Sequence, residues 1–416
     1  MTTELGANSA SASDPPPDYM QGRLRVCLVS AYSDRATGGL ASYVRCLSER
    51  LGWDHKVCIV ARFDSPGRGT SDYAAWEPPA VRNGGIPTHI IAPRSLFVPA
   101  LRRIPGLISR RPTQPLAVSL FRHAYQQRLA EAIPAAVDVV HYVGTGWELL
   151  GFAALAEARK RGAGFTVLPA VHPDTWGDSP LDVRLYNQAD AVLTLSDHER
   201  QHLIRLGTNA ALLRTIGLAP ASEVTGNEGR FRRTHRLGSR PLVLFVGRKN
   251  RGKGYHALRR AMASVMAAVP STCLITVGPD AEPPYPQLPE GALLDLGQAE
   301  ETDKADALAA CNVFCMPSAH ESFGIAYVEA WSYGKPVVAG PAPAVRELVT
   351  DGVNGFCVSQ DPTEIAAALV RLLRDPALCQ HMGAAGQALQ QERYTWDAVT
   401  EVHETVFRRV LQITEQ

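Results

Sequence analysis

The chain has 416 residues, 45% of them hydrophobic and 20% charged, with a formal net charge of +1. That composition fits a soluble globular protein and excludes disordered and fibrous classes, while the length exceeds one ordinary core, so two domains of roughly 150 to 200 residues are expected. Near-neutrality argues against a chain whose main business is coating nucleic acid or an anionic membrane, although a local basic patch remains compatible with it.

Residues 1–22, rich in Ser, Ala, Pro and Asp, lack the basic start and apolar core of a signal peptide and read as a disordered leader. RVCLVSAYS (25–33) then predicts a buried strand, TGG a turn, and the helical spacing of LASYVRCLSERL a helix. Further strands are expected at HKVCIVARF, IPTHIIAP, VDVVHYVG, GFTVLPAVH (164–172) and ADAVLTLS (189–196), with helices at 148–162 and through LDVRLYNQ. Strands alternating with helices imply a parallel sheet covered on both faces. From Thr215 to Arg240 the rhythm lapses into Gly, Ser, Asn and charge, the mark of a linker with at most a short helix. It restarts at PLVLFVGR (241–248) and continues through STCLITVGP, ALLDLG, NVFCMPS and PVVAG. Two consecutive α/β halves follow: 23–220 and 241–392, joined by a linker 221–240 and trailed by a helical segment 393–416.

Of the eight cysteines, Cys27, Cys58, Cys273 and Cys357 sit in apolar runs and read as small buried hydrophobes. No C-x-x-C pair occurs, and Cys311 and Cys315 lack a nearby histidine, so neither a zinc site nor a disulfide framework is indicated. A reduced, cytoplasmic compartment fits. No run of about 18 apolar residues occurs, so stable membrane insertion is not expected.

Four constellations carry chemistry. Gly38 and Gly39 stand between a strand end and a helix start, where they either only make the turn or let an anion approach free helix amides. In FVGRKNRGKGYHAL (245–258), Arg248, Lys249, Arg251 and Lys253 interleave with glycines where a strand opens into a helix. Four crowded cations would be relieved by a diphosphate, with a solvated basic loop as the plain alternative. HESFGIAYVE (320–329) sets Glu321 just before a helix and Glu329 about two turns down it if that helix begins at Ser322. Carboxylates this far apart are poor partners for one proton or one metal but can hold two parts of an elongated ligand; a solvent-facing helix is the other reading of Glu329. His172 ends a strand of the first half, at the sheet tip where open α/β folds bind ligands.

With these pieces assembled, the chain resembles a retaining glycosyltransferase of family four, of the GT-B class: two facing Rossmann-like domains, a cleft between them, and a C-terminal helix crossing back to the first. The resemblance covers roughly residues 24 to 400 and rests on E-x7-E at Glu321 and Glu329, R-x4-K at Arg248 and Lys253, PSxxExFG at Pro317 to Gly324, and the run EAWSYGKPVVAGPAPAVRELVTDGVNGF (329–356). It implies that Arg248 and Lys253 neutralise the diphosphate of a nucleotide-sugar donor, GDP- or UDP-type, assisted by amides near Gly38 and Gly39. It further implies that Glu329 holds the ribose, that Glu321 faces the transferred sugar with the amides of Ser322, Phe323 and Gly324, and that His172 stands at sugar and acceptor. No cofactor or metal is implied. The expected acceptor is a small soluble molecule, in specialised-metabolite (antibiotic) or low-molecular-weight thiol biosynthesis; glycolipid or polysaccharide transfer, a nucleotide-sugar 2-epimerase and a non-catalytic binding relative are the alternatives. No nucleic-acid partner is expected, and a homodimer is compatible with the sequence. IGLAP (216–220) departs from the family pattern, and the Arg- and Pro-rich stretch 93–115, with Arg102, Arg103, Arg110 and Arg111, matches it least: it reads as an anion- or membrane-facing surface or as solvated short helices.

Overall fold

The computed structural model describes residues 22–36, 39–64, 69–77, 85–221 and 224–414, so the expected leader and Gly38 lie outside the described residues, save Gly22. The first sheet holds seven parallel strands, β1 (Arg25–Tyr32), β2 (Lys56–Phe63), β3 (Thr88–Ile90), β4 (Val139–Val143), β5 (Gly164–Leu168), β6 (Ala191–Thr194) and β7 (Leu213–Thr215), in the order 3-2-1-4-5-6-7. The second holds six, β8 (Leu242–Val246), β9 (Cys273–Val277), β10 (Leu293–Asp295), β11 (Val313–Met316), β12 (Val337–Ala339) and β13 (Gly355–Cys357), in the order 10-9-8-11-12-13. Each order reverses beside its first strand, between β1 and β4 and between β8 and β11, and such switch points open a crevice at the carboxyl ends of the strands.

The central strands are buried on both faces, which is why their sequences are continuous rather than alternating: β1 runs buried from Val26 to Ala31, its Val29 between Val60 and Tyr142. Several elements lie outside the sequence reading, the helix Asp197–Arg205 among them. The strands β7 and β13 are three residues each, too short for a period to register. The helix Gln114–Ala132 interleaves Gln, Arg and His with a buried stripe made largely of Ala117, Phe121, Ala124 and Tyr125, so its apolar face is half alanine. The basic stretch before it forms short helical turns, Val98–Leu101 and Ile104–Ile108, with Arg102, Arg103, Arg110 and Arg111 all exposed.

The linker is better anchored than its composition suggests. Its helix Glu228–Thr234 is capped by Asn227 and pinned to the second domain, where Arg230 and the Asn227 amide both reach Asp306. Past Arg393 the chain turns and the final helix, Trp396–Thr414, crosses to the first domain. Its Val410 lies against Gly164 of β5 and its Trp396 indole donates to the Pro220 carbonyl at 2.8 Å.

A buried polar cluster fixes this crossing. His403 Nδ1 is 2.6 Å from the Val399 carbonyl and therefore carries the proton, leaving Nε2 to accept from the Tyr43 hydroxyl at 2.5 Å. Tyr43 in turn accepts from His141 Nε2 at 3.1 Å, and His141 Nδ1 accepts from Thr166 Oγ1 at 2.8 Å. Burial pushes His403 down to about 4 and His141 well down as well, so both rings are neutral and every polar atom of the cluster has a partner.

Candidate active site

A cavity of about 530 Å3 lies between the two domains at the carboxyl ends of their strands. Gly39, Tyr43, His172 and Trp176 line it from the first domain, and Arg248, Lys253, Glu321 and the Ser322–Gly324 turn from the second. Gly39 opens helix α1 (Gly39–Asp54), and a Cβ built on it would meet open space.

His172 is not the end of a strand. β5 stops at Leu168 because Pro169 has no N–H to donate, and Ala170 takes a left-handed φ of 49°. The chain then folds into a tight loop in which the His172 and Trp176 backbones exchange hydrogen bonds of 3.0 and 2.9 Å. That loop is held from below by Glu199, buried, whose carboxylate accepts from the amides of Val171 and Leu195 at 2.6 Å each. His172 is half-buried, and burial, with the positive charges of Lys253 and Arg248 adding to it, lowers its pKa below the ordinary 6.5 despite Glu321 and a hydrogen bond with Ala170. It is a neutral imidazole at pH 7.

The four-cation cluster does not survive as such. Lys249, 1% exposed, turns inward: its Nζ sits 2.6 Å from Asp295 Oδ1 and 3.4 Å from Asp280, so its charge is spent within the protein. Arg251 points out toward Glu282. The two cations that line the cavity are Arg248 and Lys253, the R-x4-K pair. Alternate directions along an opening loop separate them from their neighbours, a sorting that sequence proximity conceals. Lys253 Nζ lies 2.6 Å from Glu321 Oε1, with the two side chains 17% and 8% exposed.

Two glycines and one glutamine build this wall. Gly254 has φ 75°, and a Cβ there would stand 2.3 Å from the Pro317 carbonyl oxygen, so only glycine lets the Lys253 loop pass under Pro317. Gly324, φ 99°, turns the chain into the helix Ile325–Ser332, which therefore starts three residues later than a start at Ser322 would place it. The Gln360 amide donates to the carbonyls of Pro317, Gly252 and Arg251 at 2.8, 3.2 and 3.1 Å, stitching the two loops together; no sequence signal marked it. Ser196 Oγ bonds the Ser322 carbonyl at 3.1 Å across the interdomain gap.

Glu329 stands one turn into the helix, 5% exposed and outside the cavity lining. Its Oε1 is 3.2 Å from Lys304 Nζ and 3.3 Å from the Ala221 amide. Burial pulls Lys304 down, but Glu329 and Glu301 outweigh it and its pKa is raised, so the lysine is charged. Glu321 and Glu329 therefore each have a lysine of their own. Among the described residues no group of three or more His, Cys, Asp or Glu side chains could hold a metal ion.

Residues 240–375 match the family model described as Glycosyl transferases group 1. A GDP-mannose-dependent alpha-(1-6)-phosphatidylinositol monomannoside mannosyltransferase of Mycolicibacterium smegmatis is 31% identical over 288 residues, covering 62% of this chain and 74% of that protein. The chain belongs to the glycosyl transferases group 1 family. A phosphatidyl-myo-inositol mannosyltransferase of Mycobacterium leprae is 38% identical over 182 residues, 41% of this chain; the match spans only about half, 48%, of that relative's length. Among solved structures, sucrose-phosphate synthase from Thermosynechococcus elongatus superposes with a TM-score of 0.70 at 20% identity, covering 94% of this chain and 100% of the other. The Anabaena protein HepE in complex with UDP-glucose does so at 0.65 and 19% identity, over 92% and 99%. These likenesses establish the GT-B fold for this family member, with its two parallel-sheet domains and C-terminal helices. No helix among the described residues is long and apolar enough to cross a membrane.

Proposed function

We propose that this family member is a retaining glycosyltransferase that moves a sugar from a nucleotide-diphosphate donor, GDP- or UDP-type, to a small soluble acceptor. The observation that carries the reading is the meeting across one cavity of Arg248 and Lys253, from one loop of the second domain, with His172 and Gly39, from two segments of the first. In the reaction the bond between the anomeric carbon and the phosphate oxygen breaks, leaving negative charge on the diphosphate and an oxocarbenium-like sugar. Arg248 and Lys253, the latter held by Glu321, stabilise that leaving charge, the kind of preorganised electrostatics that dominates catalysis. Same-face attack by an acceptor hydroxyl forms the new bond, and its proton passes to the departing phosphate oxygen. Neutral His172 orients a hydroxyl without adding a cation beside the oxocarbenium. Glu321 holds the transferred sugar, with the Ser322, Phe323 and Gly324 amides, and Glu329 the ribose. Closure of the cleft about the linker excludes water from a hydrolysis-prone donor.

Thermal unfolding with GDP-, UDP- and dTDP-sugars tests the reading, since a ligand of the native state raises Tm. At least one must protect, and the protecting donor must release nucleotide faster with acceptor present. Protection with epimerised product and no nucleotide release would favour the epimerase; protection without turnover would favour a binding protein.

A second reading, glycolipid transfer, has an observation of its own. Between Glu77 and Glu131 the chain carries Arg82, Arg94, Arg102, Arg103, Arg110, Arg111, Arg122 and Arg128 and no Asp or Glu. Leu96 and Leu116 in this stretch are 77% and 58% exposed. So basic a stretch suits anionic lipid, and the names of the mycobacterial relatives specify phosphatidylinositol acceptors. Salt-sensitive co-sedimentation with phosphatidylglycerol vesicles, and not with phosphatidylcholine alone, would favour it.

A further inference from the structure

A second, smaller cavity of about 280 Å3 opens beside the first, at the β1–β4 switch point, and shares Leu40 and Trp176 with it. A ligand in it would lie next to whatever occupies the space before Arg248 and Lys253. Its volume corresponds to roughly nine waters at about 30 Å3 each, room for one six-membered ring rather than a chain of them. Ser30, Tyr32, Thr70 and Ser71 bring hydroxyls to its wall, Trp176 an aromatic surface and Glu148 a carboxylate.

Glu148 is the unusual member. It is 2% exposed, in a one-turn helix Gly146–Glu148, and Oε2 accepts a 2.8 Å hydrogen bond from the buried Tyr142 hydroxyl. Space has been left for it: Gly144 has φ 148°, and a Cβ there would lie 2.4 Å from Glu148 Oε2. Among the described residues no Lys, Arg or His pairs with it within 4 Å. The nearest cation felt by it, Arg62, is fully buried and commits its guanidinium to the carbonyls of Thr70, Asp72 and Ala75. Burial, with Asp182 adding to it, pushes the Glu148 carboxyl up to about 7 against the lowering effects of Tyr142, Arg62 and Thr70. Buried charges in proteins are normally paired; here Tyr142 and Thr70 hydrogen-bond the carboxyl, no ion-pair partner stands among the described residues, and Glu148 lines a cavity.

We infer that this cavity is the acceptor subsite and that its ligand is a single hydroxyl-rich ring bearing an ammonium group, which Glu148 receives. The inference rests on the transferase reading and names its acceptor class. Ring hydroxyls pair with Ser30, Thr70 and Ser71, the ring's C–H face lies on Trp176, and the ammonium supplies the counter-charge that Glu148 lacks among the described residues. A ring carrying phosphate or carboxylate at that position would face Glu148 as a like charge and be rejected.

The test is calorimetric titration of the full chain, saturated with whichever of UDP or GDP raises its Tm, using glucosamine, glucose and glucose 6-phosphate as matched cationic, neutral and anionic rings. Glucosamine is expected to bind at least tenfold more tightly than glucose, and glucose 6-phosphate not at all. Glu148→Gln, which keeps an acceptor for Tyr142, should erase the preference while nucleotide protection stays unchanged. Ser71→Ala, at the exposed mouth, should weaken both sugars severalfold and covers the case in which the Glu148→Gln variant fails to fold. Equal binding of glucose and glucosamine, tighter binding of glucose 6-phosphate, no binding of any ring at about 10 mM, or a preference that persists in Glu148→Gln overturns the inference. Nucleotide protection in the same samples separates that failure from failure of the transferase reading, in which neither UDP nor GDP protects.

Discussion

Replacing Lys253 by Met keeps most of the aliphatic stem and removes one of the two cations lining the cavity. A charge about 4 Å from a phosphate oxygen at an effective dielectric of about 20 is worth about 4 kcal/mol, and loss of one preorganised donor from an active site costs about 3 to 4 kcal/mol. Lys253 also serves Glu321 at 2.6 Å in the ligand-free site, so part of its charge is already shared. We therefore expect kcat to fall by about 100-fold, or about 3 kcal/mol, with nucleoside diphosphate affinity falling about tenfold. The same change strands Glu321, whose side chain is 8% exposed. Breaking a fully buried pair costs about 3 to 5 kcal/mol, and the partial exposure of Lys253 reduces this to about 2. The double variant Lys253→Met with Glu321→Gln removes the stranded charge and should restore Tm without restoring turnover. Steady-state donor turnover and thermal unfolding of the three proteins decide the matter. A kcat within threefold of the native value, or a double variant that regains turnover along with stability, would refute the leaving-group role and make the pair structural.

Glu329→Gln loses the charge that holds Lys304 and should raise the dissociation constant of the nucleoside diphosphate about tenfold while leaving kcat at saturation within threefold; an unchanged dissociation constant would return Glu329 to a purely structural role. Because burial and Lys253 lower the His172 pKa, the acid limb of kcat/KM should have its midpoint below 6.5, and Lys253→Met should move that midpoint upward. A limb that stays in place in the variant would show that the titrating group is elsewhere. At the domain crossing, Gly164→Ala puts a Cβ 2.4 Å from Val410 Cγ1. Overpacking of this kind costs about 1 to 3 kcal/mol. Val410→Ala in the same chain should recover most of it in denaturant unfolding, and additive losses would mean that the terminal helix does not bear on β5.

The site was legible where local chemistry imposed it. Gly254 and Gly324 had to be glycine for backbone reasons, so the R-x4-K loop and the PSxxExFG turn announced themselves as short motifs. The same loops also show the limit of that legibility. Four cations within six residues looked like one anion site until the fold sent Lys249 inward to Asp295, a residue 46 positions away. His172 was found as a candidate, but its place depends on Pro169 and Ala170 ending β5 early and on Glu199 holding the loop from another element. Gln360 and Tyr43 were invisible because neither residue type is rare and their partners lie 43 to 109 and 98 to 360 positions away.

Periodicity alone determined the class of fold: doubly buried strands must be apolar throughout and helices amphipathic, so a parallel α/β architecture in two halves was fixed by pattern. The tertiary structure alone decided which charges meet. Pairing across 25 to 68 residues, as in Lys304 with Glu329 and Lys253 with Glu321, depends on strand order and loop direction, which no local period encodes. Burial acts in the same way. Glu148 reads in the sequence as the first residue of the helix expected over 148–162, and only its enclosure beside Tyr142, away from any paired cation among the described residues, turns it into a carboxylate that the ligand must answer.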